Sequence, residues 1–231
     1  MSLADDIRTL YERAIQELAA AHDYFVYSES AWNLVIQAAI TNPGLAFQNL
    51  ATGSVASGSA LESLAREYPV RHVTEATFQQ FLAIFESFIG DLLRLWLAAF
   101  PRSIGGKTLK LEDALDAGDL PTLIRMVVDH ELADVTYKSP RKVFEYIERR
   151  IGIALPAAAD IDQLAEAKAT RDVLIHNRGV ADAEYQTKAG GLARFSVGQL
   201  IEIPKPYHRA VWELLNKLVS ELSVAVIAKA P

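Results

Sequence analysis

Between Thr74 and Phe100 the chain carries Phe78, Phe81, Leu82, Phe85, Phe88, Ile89, Leu92, Leu93 and Trp96 at three- and four-residue steps. Side chains so spaced share one face of an α-helix, and a face this broad and aromatic has to be buried against other helices. The stretch therefore predicts a long central helix, with Thr74 as its N-cap and Pro101 just past its end. Glu86, Asp91 and Arg94 interrupt the most apolar part, 81–100, which argues against a membrane span. Aromatic rings at these steps read as packing and not as a cofactor box.

The rest of the chain supports an all-α fold. Glycine and proline are few (12 and 9), and alanine, leucine and glutamate are abundant, a balance that favours helix over sheet. Leu3, Ile7, Leu10, Ala14, Leu18 and then Trp32, Val35, Ile36 and Ala39 predict helix over 3–40, stopped by Asn42-Pro43-Gly44. Residues 52–60 are the most linker-like and predict a flexible, exposed loop, with a short helix over 59–67 before Pro69. A loop at 101–110 leads to a short helix at 111–117. Asp119 with Pro121 starts the next helix, to about Ala133, and Ser139-Pro140 starts another that ends near Gly152. Asp160 opens the following helix and Gly179 closes it at the C′ position. Residues 183–203 change character and predict short extended segments or a hairpin before a last helix over 207–228. The expected division is an N-terminal helical segment, 1–70, and a helical domain, 71–231.

Composition removes several function classes. With no cysteine there is no disulfide framework, thiolate zinc site or thiol nucleophile. That fits the cytoplasm, as does a start, Met1-Ser2-Leu3-Ala4-Asp5-Asp6, without the basic and apolar runs of a secretory leader. A net charge of −6 counts against extended nonspecific nucleic-acid binding, although 141–178 is locally near neutral. His130-Glu131 lacks the second histidine of a metalloprotease helix, because position 134 is Asp. The stretch 101–108 ends like a phosphate-binding loop but has Pro101 where the first glycine belongs. His22 and His208 have no ligand-spaced companions. Neither a metal site nor a cofactor is expected.

One constellation is left, Arg171-Asp172-Val173-Leu174-Ile175-His176-Asn177-Arg178-Gly179. An imidazole can take the 2′-hydroxyl proton of RNA while a guanidinium stabilises the phosphorane oxygens. Spacing alone is common: Arg125 and His130 repeat it, and Arg66 with His72 comes within one residue. Context separates them, because Pro69 lies inside one pair and no helix stop follows the other, whereas His176 precedes Asn177 and Gly179. Five helical residues separate Arg171 from His176 by about 7.5 Å of rise and roughly 140° of rotation, so the two need not touch within one chain. Asp172 and His176, at i and i+4, share a face and could hydrogen-bond, fixing the imidazole tautomer. Arg178 could add a phosphate contact. The plainer alternative makes Arg171 and Asp172 structural ion-pair members and His176 a cap or packing residue.

The segment from Arg171 through Asn177-Arg178-Gly179-Val180-Ala181-Asp182-Ala183-Glu184-Tyr185 resembles the signature of the HEPN superfamily. In its RNase members, arginine, a polar residue, three further positions and histidine form the motif. Phe78-Gln79-Gln80-Phe81 through Phe85-Glu86-Ser87-Phe88 resembles the helix that opens that family's bundle, and Leu200-Ile201-Glu202-Ile203 the stretch before its last helix. The resemblance covers roughly 74–228. It implies a dimerising helical bundle, to which the pattern of the residues themselves adds an extra N-terminal helical segment and a short β-hairpin before the last helix. It also implies a cytoplasmic, metal-independent endoribonuclease, a toxin or phage-defence effector, that leaves a cyclic phosphate in a cleft shared by two copies. Carried over, His176 is the general base or acid, Arg171 the phosphate clamp, and Asp172, Asn177 and Arg178 supporting residues. RNA is then the substrate, a second copy the partner, and an antitoxin or sensor protein the regulator. A subfamily with tyrosine two residues past the histidine is controlled by a nucleotidyltransferase; here that position is Arg178. The alternatives are a non-catalytic module that binds nucleotide, RNA or protein through the same cleft, and an interaction protein acting through 1–70.

Overall fold

The computed structural model describes residues 2–105, 112, 116–136 and 138–231. The fold is all-α with one short β-hairpin. Helix α1, Leu3–Thr41, starts at a capping box: the Ser2 hydroxyl accepts the Asp5 N–H, and the Asp5 carboxylate accepts the Ser2 N–H. Two three-residue strands follow, β1 (Ala46–Gln48) and β2 (Val55–Ser57), paired antiparallel with Phe47 opposite Ala56. The hairpin therefore starts just after the Asn42-Pro43-Gly44 stop, and its second strand lies inside residues 52–60, which the sequence reads as a flexible, exposed loop. Its turn is made by Asn49, whose side-chain oxygen accepts the Ala51 and Thr52 N–H groups, and by Gly53 at φ 73°.

Helix α2, Gly58–Glu67, runs through a π-helical turn, Tyr68–Val73, directly into α3, Thr74–Ala99. Thr74 is thus not an N-cap; its backbone is helical and its hydroxyl donates to the Pro69 carbonyl at 2.7 Å. The wider turn accommodates the proline that was expected to break the helix. After a 3₁₀ turn at Pro101–Ser103 come α4 (Leu120–Thr136), α5 (Pro140–Ile151) and α6 (Ala158–His176). The short helix expected at 111–117 and the end of the 101–108 stretch fall largely outside the described residues. Asp160 does not open α6 but sits in its first turn, where it accepts from Lys217 at 2.7 Å.

The region 183–203 is not a hairpin. Asp182 caps the Tyr185 N–H at 2.8 Å and starts the short helix α7, Ala183–Ala189, and a single antiparallel bridge, Val180 to Leu200, is the extended pairing there. An effective cap with a buried tyrosine one turn on outweighs the weak extended pattern. Helix α8, Lys205–Ile227, closes the chain.

Helix α3 is the hub. Phe78, Phe81, Phe88, Leu92 and Leu93 are buried against Ile7, Leu10 and Leu18 of α1, Leu215, Leu218 and Leu222 of α8, and Phe144 of α5. The first half of α1 therefore belongs to the same core as the downstream helices. Trp212 donates its indole N–H to the Leu18 carbonyl, tying α8 to α1. His208 is fully buried, with its ring centroid 4.3 Å from Phe25 and 4.8 Å from Phe81. Its Nε2 lies 2.8 Å from the Thr77 hydroxyl, and among the described residues its Nδ1 has no partner. Burial, and secondarily the neighbouring His22, lowers its pKa to about 4, so the ring is neutral. Among the described residues no helix is long and apolar enough to cross a membrane.

Candidate functional site

A small second core sets the end of α6. Ala169 and Val173 pack with Ala181, Tyr185, Ala189 and Ile201, which clips α7 and the 177–203 segment onto the helix that carries the motif. Helix α6 stops at Asn177, and the chain then takes two left-handed residues, Arg178 at φ 54° and Gly179 at φ 78°. Arg178, not Gly179, occupies the C′ position; the Gly179 N–H returns to the Val173 carbonyl at 3.1 Å. Among the described residues Arg178 is the one non-glycine with positive φ. Asn177 fastens the turn by donating to the Val180 carbonyl and to Asp182.

Between α3, the start of α5, α6 and α7 lies a groove of ≈ 660 Å³, and both Arg171 and His176 line it. Arg171 lies in the wall, its side chain 16% exposed, and His176 stands exposed at the helix end. The charged side chains form one alternating chain. Glu86 accepts from Lys168 at 2.8 Å and from Arg171 at 2.7 Å. Asp172 stands 3.1 Å from Arg171 and 3.0 Å from Lys188, and Glu184 2.9 Å from Lys188. Bonding to Glu184, reinforced by Asp172, raises the Lys188 pKa, so its ammonium stays charged. Lys138, Lys168, Arg171 and Lys188 balance Glu86, Asp172, Asp182 and Glu184 among the groove residues. Among these described side chains the formal charges cancel.

The expected Asp172–His176 hydrogen bond is not formed. Asp172 is held by Arg171 and by Lys188, sixteen residues on, and among the described residues no hydrogen bond orients the imidazole. Arg178 is exposed next to the groove end. The look-alike pairs lie elsewhere: Arg125 and His130 on the outside of α4, and Arg66 and His72 on α2 and its π turn.

Behind the groove lies a buried polar centre. Glu166, 4% exposed, accepts from Thr170 at 2.9 Å, Tyr185 at 3.2 Å, Arg194 at 3.0 Å and Tyr207 at 2.6 Å. The Arg194 guanidinium lies 3.4 Å from the centroid of the Tyr207 ring and also donates to the Glu202 carbonyl. Desolvation, with Glu166 adding to it, raises the pKa of both Tyr185 and Tyr207, so both phenols stay protonated as donors. Neither this centre nor Glu86, Lys168 and Lys188 emerged from motif spacing. Glu86 did carry a signal, as an acid inside the most apolar stretch. The members of the Glu166 centre lie from 166 to 207 with no local pattern to join them.

Among the described residues no three His, Asp or Glu side chains are grouped to hold a metal ion. No family model matches the chain, and no curated protein or solved structure matches it.

Proposed function

We propose that the protein is a metal-independent endoribonuclease of the HEPN type that works as a dimer, a toxin or phage-defence effector. The observation that carries this reading is that Arg171 and His176, singled out by their motif, open on one groove. In this scheme His176 takes the proton of a ribose 2′-hydroxyl, and the 2′-oxygen attacks the adjacent phosphorus. Arg171 balances the charge on the non-bridging oxygens, and the 5′-oxygen leaves with a proton from an acid, leaving a 2′,3′-cyclic phosphate. A second copy across the groove supplies that acid as its own histidine, which is why two copies are required. Asn177 and Arg178 set the turn that presents His176. Purified protein is expected to cut single-stranded RNA in the presence of EDTA, with Arg171→Ala and His176→Ala each lowering the rate by about 10² or more. Undiminished cleavage in both variants rejects the roles.

A second reading, a non-catalytic helical module that binds RNA through the same groove, is favoured by one observation. Arg171 is ion-paired with Glu86 and Asp172, and among the described residues no hydrogen bond orients His176. RNA binding without any cleavage product selects that reading.

A further inference from the structure

We propose that Lys168 and Arg171 form a two-point clamp for one backbone phosphate of single-stranded RNA, and that Glu86 is the internal carboxylate the phosphate displaces. This rests on the groove being an RNA site and adds a contact and a brake to it. A single oxygen of Glu86, Oε1, sits 2.8 Å from the Lys168 ammonium and 2.7 Å from the Arg171 guanidinium. Two cations one turn apart on α6 thus converge on one anionic oxygen, as they would on a non-bridging phosphate oxygen. Their side chains are only 21% and 16% exposed, so a wall of the groove holds both in place before any ligand arrives.

The anion now between them comes from a different element. Glu86 stands on α3, and its side chain is one-third exposed. Rotation of this one carboxylate towards the groove mouth frees both cations without moving α6. Exchange of carboxylate for a backbone phosphate is like for like in charge, since each spreads one negative charge over two oxygens. The four-against-four balance explains why a brake matters: with Glu86 in place the described lining carries no net formal charge to attract a polyanion, and without it the lining gains one positive charge.

The test is fluorescence anisotropy at low salt with a short, labelled 2′-O-methyl RNA, which lacks the nucleophile and cannot be cut. Glu86→Gln is expected to tighten binding roughly tenfold, the size of one charge-assisted contact no longer in competition. Lys168→Met, which leaves the Glu86–Arg171 pair intact, is expected to weaken binding by a similar factor and to lower the salt slope by about one. Thermal melting checks that each variant is folded, and if Glu86→Gln fails to fold, Lys168→Met alone decides. The proposal is overturned if folded Glu86→Gln binds no more tightly than wild type, if Lys168→Met binds as wild type does, or if no form binds. Tighter binding by Glu86→Gln without cleavage of ordinary RNA keeps the clamp and ends the nuclease reading. Cleavage with unchanged binding does the reverse.

Discussion

Acidification is expected to destabilise this fold through a single side chain, His208. The ring is fully buried between Phe25 and Phe81, its one hydrogen bond goes to Thr77, and its pKa is lowered to about 4. In the unfolded chain an imidazole titrates near about 6.5, so as pH falls the unfolded state takes up the proton first. Stability from the neutral ring is therefore complete above about 6.5 and is lost as pH falls towards 4. Linkage between these two values gives a loss of about 2–3 kcal/mol on going from about pH 7.5 to about pH 4.5, a large share of a typical folding free energy. The assay is urea unfolding across that range, on wild type and on His208→Gln, whose amide can still reach Thr77. The carboxylates titrate in both proteins and cancel in the difference. The stability advantage of wild type is expected to shrink by about 2–3 kcal/mol at the acid end. A constant difference would refute the neutral, buried imidazole.

Two other outcomes follow from the site. Glu166→Ala leaves Arg194 without its carboxylate and two tyrosine hydroxyls without an acceptor, so it is expected to cost about 3–5 kcal/mol in chemical unfolding; a loss under about 1 kcal/mol would show that the centre is replaceable. Arg178 holds a left-handed backbone, so Arg178→Gly is expected to be neutral to stabilising by up to about 1 kcal/mol, and Arg178→Val destabilising by more than that; equal melting temperatures for the two would remove the strain argument.

Long periodic segments were legible in the sequence. The apolar steps of α1, α3 and α8 and the proline starts of α4 and α5 place those helices within a few residues, because burial of a stripe leaves a regular trace. Short elements did not, since three-residue strands have no period and the hairpin depends on Asn49 and Gly53. The segment at 183–203 was misread because a cap at Asp182 and burial of Tyr185 act over a single turn. Arg171 and His176 both line one groove, which their five-residue spacing does not by itself require. Helix geometry allows Asp172 to meet His176, but it cannot foresee a competing lysine at 188 or an acid at 86.

Glu166 has a mechanical consequence for the groove. Its carboxylate ties α6 to α7, to the strand-like segment through Arg194, and to the first turn of α8 through Tyr207. These pieces are cross-linked through one carboxylate into a single side of the groove. The facing side is built differently: there α3 and the start of α5 meet α6 through apolar side chains such as Phe85, Val143 and Leu164 and through the Glu86 pairs.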